Sequence, residues 1–318
     1  MSVAPDSHKT CEIKKDTRCR GERGRHFDLT RGAMPASALI GVATIVGSTV
    51  ASAVSSVAIK LSVDKLSPEA TVFFSSVISV ILVAPLVAIS EDKGIWRIPE
   101  LSLDLLRGVL IGATTLLFSW AVVFSDLATV AAINASGPVF AFVLASLAVD
   151  RAWSTLRLGC LLIGFAGMLA IVEPSAGHLS IGHGLALASA LAAAVAFALT
   201  KPAACRDPWA VTYLKCNVAM AGLLAYPALQ DGWLGPQHIG ALLLLAVSSV
   251  ANQWLLLSAL TRVPAQLATP FQYLKIVWTA AFAYLLFDEV PRLGLLLGCS
   301  LIVGAIIVFL HLDEGRKL

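Results

Sequence analysis

Two lysines of this chain lie where lysines are expensive. Lys275 sits in TPFQYLKIVWTAAFAYLLFDEVP, residues 269–291, which is apolar and aromatic almost throughout and closes on Asp288, Glu289 and Pro291. Lys215 sits in VTYLKCNVAM, residues 211–220. An apolar run of about twenty residues suits a hydrocarbon layer ~30 Å thick, and a lysine near its centre costs at least ~2.5–3.5 kcal/mol. Side chains kept there face a protein interior or a wet cavity and have a task. Lys275 is roughly 10–12 residues from either end of its run, about 15 Å at ~1.5 Å per residue, farther than a lysine stem can snorkel. Lys215 lies only about 10 Å from the cytoplasmic end by the same rise, so for it snorkelling and pointing inward stay open as equal alternatives. An ammonium without an acidic partner is a receptor for a carboxylate, a phosphate or another anionic group.

The neutral groups that could complete such a site lie at similar depth. Gln272 and Tyr273 stand about a turn before Lys275; Ser119 and Trp120, Asn134 and Ser136, and Asn252, Gln253 and Trp254 lie in other apolar runs. Trp and Gln side chains facing a cavity can stack on and hydrogen-bond a planar ligand; facing a neighbouring helix, the same polar groups are interhelical glue worth about 1–2 kcal/mol or less. Gly108 and Gly112, and Gly159, Gly164 and Gly167, read as close helix contacts.

Other chemistries are excluded by inventory. Asp126, Asp150, Glu173, Asp231, Asp288 and Glu289 fall at the ends of apolar runs, and His8, His26, His178, His183, His238 and His311 fall outside them or at their ends. That leaves no intramembrane proton relay, metal cluster, nucleophile with a base or phosphate loop, so neither an enzyme nor a metal or cofactor site is expected. The six cysteines contain no CxxC pair and no disulfide framework. The net charge of +3 reflects topology, so no nucleic-acid partner is expected.

The elements that must hold these residues follow from composition. Apolar residues make up 58% and charged residues 14% of the chain, with mean hydropathy +0.83, against about 25% charged in a soluble domain. The runs are too long and too uniform for barrel strands, which alternate over about ten residues. The chain is therefore an all-α polytopic membrane protein. We place ten transmembrane helices at roughly 36–58, 68–90, 103–122, 127–149, 155–173, 182–200, 209–229, 237–258, 264–287 and 293–311. Pro138 loosens the fourth by removing one backbone hydrogen bond. Residues 1–33 form a basic tail too poor in apolar area to fold. Placing the N-terminus inside puts eighteen Lys and Arg in the tails and inner loops and three outside, ten against three without that tail. Both termini are then cytoplasmic.

The runs also repeat. LGC recurs at 158–160 and 297–299, and ASAVSSVAIK ending at Lys60 resembles AAAVAFALTK ending at Lys201. These offsets divide the chain into a first repeat at 34–174 and a second at 175–312, followed by a short tail at 313–318. Five helices per repeat is odd, so the second copy is inverted, an arrangement that places substrate sites near the midplane between halves. Lys275 aligns with Ser136 and Lys215 with Ser75, so one half carries a lysine where the other carries serine.

NASGPVFAFVLASLAVD at 134–150 and PAQLATPFQYLKIVWTAAFAYLLFDEVP at 264–291 resemble the corresponding elements of the drug/metabolite transporter superfamily, EamA type. The resemblance covers about 36–311 and implies two inverted five-helix repeats around a central cavity in a bacterial inner membrane, working by alternating access without ATP. It departs from the family at Asp150, where Glu is usual, and at Ser75 and Ser76, where Arg is often seen. The expected function is secondary transport of a small polar, anionic or zwitterionic metabolite, by a monomer or homodimer in the lipid bilayer. Lys275 would meet the anionic group, and the remaining residues named above would shape the rest. The alternative is a non-transporting scaffold or flippase-like subunit.

Overall fold

The computed structural model describes residues 36–63, 66–89, 98–134, 180–206, 209–230, 236–260 and 271–288, with single positions and pairs at 136–137, 140, 159–167, 262 and 294–304. Eight helices lie within these residues: α1 (Ala36–Val63), α2 (Pro68–Ile89), α3 (Ile98–Phe124), α4 (Leu127–Asn134), α5 (Ile181–Arg206), α6 (Trp209–Gln230), α7 (Pro236–Leu260) and α8 (Leu274–Phe287). No strand occurs among the described residues. In hydrocarbon every backbone N–H and C=O must be satisfied within its own segment, and an apolar sequence meets that demand as a helix. The expected tail at 1–33, fifth span and C-terminal tail fall outside or almost outside the described residues, as does most of the tenth span.

Five segments are long and apolar enough to cross a bilayer: Leu39–Val63, Pro68–Ile89, Leu105–Phe124, Ile181–Leu199 and His238–Leu260. Their outer faces are greasy. Ile81, Ile89, Leu223, Val247 and Leu285 are all exposed, and so many exposed aliphatic side chains suit lipid and not water. The protein is an all-α, multi-pass membrane protein. Three ends differ from the sequence expectation by about a turn or more, since α1 continues to Val63, α3 starts at Ile98 and α5 continues to Arg206. At the end of α8, Asp288 takes a left-handed conformation (φ 52°) and its N–H donates to the Ala283 carbonyl, which stops the helix at Phe287.

The principal packings join early helices to late ones: α1 lies along α7, α3 along α5, and α2 along α6. Beside these, α3 touches α6 and α2 touches α7, while α8 packs on α1, α4 on α5, and α4 on α8. Exchanging each helix with the one four places later carries this set of pairings onto itself. A twofold relation between halves produces such a pattern. The contact between α3 and α6 is close, because a Cβ on Gly108 would lie 2.8 Å from the Cys216 carbonyl oxygen and one on Gly112 would lie 2.7 Å from Met220 Cγ. A Cβ on Gly159 meets nothing within 4 Å among the described residues.

An apolar cluster of Val57, Ile59, Phe118, Val122, Leu127, Val130 and Leu245 joins α1, α3, α4 and α7, with Phe282 and Phe287 packed against it. At the same end, Lys60 Nζ stands 4.3 Å from the centre of the Phe287 ring. Trp120 Nε1 donates to Glu69 Oε1 at 3.0 Å, and the Ser125 and Ser180 hydroxyls meet at 2.8 Å.

Candidate functional site: a hydroxyl-lined chamber with one cation

Among the helices lies a cavity of about 210 Å³. Six helices and the start of α8 wall it: Ser52, Ser55 and Ser56 from α1; Ser75, Ser76 and Ser79 from α2; Thr114, Thr115 and Phe118 from α3; Asn134 from α4; Tyr213, Cys216 and Asn217 from α6; Ser249, Asn252 and Gln253 from α7. Lys275 completes it and is the one charged side chain among the described lining residues. Its Nζ lies 5.4 Å from the centre of the Phe118 ring, a cation–π contact that partly offsets lost hydration. No carboxylate pairs with it among the described residues.

The backbone at Lys275 is not that of an uninterrupted helix. Gln272 and Tyr273 form a turn, the Lys275 N–H donates to the Gln272 carbonyl at 3.2 Å, and the Ile276 N–H donates to Tyr273 at 3.0 Å, each three residues back and not four. Lys275 thus stands in the first turn of α8, just after a break in the ninth span. The fourth span breaks at the position that aligns with Lys275 in the sequence. There α4 ends at Asn134, Ser136 is in a turn, and its N–H donates to Ile133, again three back, at 3.0 Å. Pro138, two residues on in the sequence, lacks the N–H that an unbroken helix would need there. Discontinuous helices at a midplane site are a recurring device of secondary transporters.

Of the residues expected to form the site, the structure brings Lys275, Asn134, Asn252 and Gln253 to this one chamber. Asn134 is further held by Nδ2 donating to Ser189 Oγ at 2.8 Å, and Ser189 donates in turn to the Thr114 carbonyl at 2.8 Å. The other six lie elsewhere. Ser119 is buried and donates to the Thr115 carbonyl, and Trp120 is committed to Glu69. Trp254 is 49% exposed on the outside of α7, one residue and about 100° of helix from Gln253. Gln272 and Tyr273 sit in the turn before Lys275 without lining the chamber. Lys215 is 3% exposed, so it does not snorkel, but it lies behind the wall, next to Cys216. Arg107, one of the charges counted on the cytoplasmic side, is 2% exposed within α3, its Nη1 3.6 Å from Cys216 Sγ.

The sequence reading missed the hydroxyls. On α1, Ser52, Ser55, Ser56 and Ile59 follow the i, i+3, i+4, i+7 spacing of one helix face, so a signal was present. Serine in membrane helices so often bonds to its own backbone that the spacing alone does not announce a cavity.

A helical membrane bundle with a polar chamber among its helices is an arrangement suited to a small-molecule transporter. The comparisons give the particular family: the chain belongs to the EamA-like transporter family, which matches residues 39–173 and again 180–311. Its relatives include an S-adenosylmethionine uptake transporter of Rickettsia bellii, 23% identical over 86% of this chain and 94% of that one. Another is a pseudopaline exporter of Pseudomonas aeruginosa, 27% identical over 77% and 86%. A solved protein crystal structure shares the fold with a TM-score of 0.68 at 19% identity, over 89% of this chain and 99% of that one. Transport, not catalysis, is the family's business, as the absence of catalytic groupings in the sequence led us to expect.

Proposed function

We propose that this protein is a secondary transporter that carries a small polar metabolite, anionic or zwitterionic, through the chamber by alternating access. Lys275 receives the anionic group while Asn134, Asn252 and Gln253 hydrogen-bond the remainder. The observation that carries this reading is a single ammonium facing a polar chamber that contains no acidic side chain among its described lining. A carboxylate is its natural counter-charge, and S-adenosylmethionine, cargo of one relative, carries one on its amino-acid end.

The two helix breaks, at Ser136 and at Gln272–Tyr273, offer hinges on opposite halves. The apolar cluster around Phe118 and Leu127 serves as the closed outer gate, and rocking of one half against the other opens it. The ten-helix inverted repeat, the bacterial inner membrane and the cytoplasmic termini belong to the same proposal; the exchange symmetry of the helix pairings and the loop charges support it. The test is substrate-dependent flux in liposomes that hold only this protein. Accumulation above empty liposomes is expected for a carboxylate-bearing metabolite; no flux across a broad metabolite panel would point to the scaffold reading instead.

A further inference from the structure

Where α3 ends and α5 begins, three polar side chains form a run of hydrogen bonds with a fixed direction. The Ser180 backbone N–H donates to His183 Nδ1 at 3.0 Å, and a backbone N–H can only donate, so Nδ1 carries no proton. The Ser180 hydroxyl, 3.1 Å from the same nitrogen, then donates to it as well, and the Ser125 hydroxyl donates to Ser180 Oγ at 2.8 Å. His183 thus stands where the glutamate or glutamine of a capping box stands, three residues after Ser180, its ring reaching back to the N–H that precedes α5. Glutamine would accept that bond at every pH. Histidine accepts it only while neutral, and imidazole is the side chain that gains charge between about pH 8 and about pH 5.

The same residues straddle a close crossing. A Cβ on Gly182 would run into Ser125 Oγ and would lie 3.0 Å from the Ala121 carbonyl oxygen, so glycine alone lets the head of α5 lie this near the end of α3. One turn on, Ala186 is buried in the apolar cluster with Ala121, Val122 and Leu127, and Leu185 packs against it. This crossing therefore meets the cluster proposed above as the closed gate, with α3 from the first repeat and α5 from the second. His183 itself is partly buried, which leaves it within reach of water.

Few other charges face it. The helices packed on α5 are α3, α4, α7 and α6. Glu100, Asp104 and Arg107 lie in the first turns of α3, at its opposite end, and no charged residue follows up to Phe124. Asp126, exposed at the head of α4, accepts the Thr129 N–H at 2.9 Å. His238 stands near the head of α7, and α6 carries Tyr213, Lys215, Cys216 and Tyr226. Lys60 and Glu69 lie against Phe287 and Trp120.

We propose that Ser125, Ser180 and His183 form a proton-operated latch on the gate. Neutral His183 ties the head of α5 to the end of α3 and holds the apolar cluster shut. An imidazolium bears a proton on both nitrogens, releases the Ser180 N–H and sets a positive charge at a helix N-terminus, where it is repelled. Its Nδ1–H still meets Ser180 Oγ, so the tie is weakened and not severed. Acid on this face favours the open gate, whatever the chamber carries. In the orientation proposed above, that proton comes from outside the cell.

The test uses the full-length protein in detergent, without ligand. Hydrogen exchange at the amides of residues 180–186 is compared at about pH 7.5 and about pH 5.5 as protection factors, which divide out the intrinsic pH dependence of exchange. Wild-type protection should fall about 5- to 50-fold in acid, the range for one hydrogen bond lost and one cation at a helix N-terminus. His183→Gln, an acceptor that does not titrate, should stay protected at both; His183→Lys, charged and without an acceptor, should be unprotected at both. The gate is read at Cys216, a buried free cysteine that lines the chamber. Its alkylation rate with N-ethylmaleimide, divided by that of His183→Gln at the same pH so that thiol ionisation cancels, should rise by a similar factor in acid. No fall in wild-type protection, a fall that survives His183→Gln, or one abolished instead by His238→Gln overturns the latch. A loosened α5 head with an unchanged Cys216 ratio overturns its hold on the gate. The transport reading is tested separately, by flux, and survives either failure.

Discussion

Gly108→Ala is the sharpest probe of how α3 and α6 hold the chamber between them. A Cβ at this position would lie 2.8 Å from the Cys216 carbonyl oxygen and 2.9 Å from Cys216 Cα. Both are backbone atoms, so nothing can swing aside, and one helix must move. Alanine is favoured over glycine in a helix by about 1 kcal/mol, whereas overpacking a fixed contact costs about 1–3 kcal/mol. The balance is a loss of about 0–2 kcal/mol. Gly112→Ala meets Met220 Cγ at 2.7 Å and Sδ at 2.9 Å, the end of a flexible side chain that can rotate, and should cost less. Gly222→Ala on lipid-facing α6 meets nothing within 4 Å and should gain up to about 1 kcal/mol. Thermal unfolding in detergent should rank the three as Gly222→Ala highest, Gly112→Ala next and Gly108→Ala lowest. Since Thr114 and Thr115 on α3 line the same chamber as Tyr213 and Asn217 on α6, Gly108→Ala should also weaken ligand binding. A Gly108→Ala protein that melts at or above Gly222→Ala would refute the close crossing.

Trp120 and Trp254 looked alike in the sequence and should now behave differently. Trp120→Phe removes the donor to Glu69 that bridges α2 and α3, so it should lower stability by about 1 kcal/mol while ligand affinity holds; an affinity loss with unchanged melting would put Trp120 back in the site. Trp254→Ala, on the exposed side of α7, should leave affinity within about twofold, and a tenfold loss, about 1.4 kcal/mol, would show that it reaches the cargo.

Much of this was legible in the sequence, and the rest was hidden for physical reasons. Apolar runs place helices because lipid leaves the backbone no other choice, and the positions of α2 and α6 match their expected spans closely. Lys275 stood out because its cost is large and its depth could be counted. Facing was harder: in NQW at 252–254 the sequence shows three polar or aromatic neighbours, yet two line the chamber and the third meets lipid. For Lys215 snorkelling and pointing inward were equal alternatives; at 3% exposed it is turned inward, yet it is not among the residues that line the chamber. The break before Lys275 carries no glycine or proline at 272–273 to announce it, whereas Pro138 marks its counterpart. Serines escaped notice because their two roles, bonding their own helix and lining a cavity, are here performed by the same atoms.

The account rests on the ammonium in the chamber having cargo as its counter-charge. Substrate flux into liposomes holding Lys275→Ala, compared with wild type and with Lys275→Arg, measures this most directly. We expect the alanine protein to melt normally and carry nothing above background, with arginine, which keeps the charge, retaining part of the flux. Wild-type flux through Lys275→Ala would mean that the charge at the chamber wall plays no part in recognition.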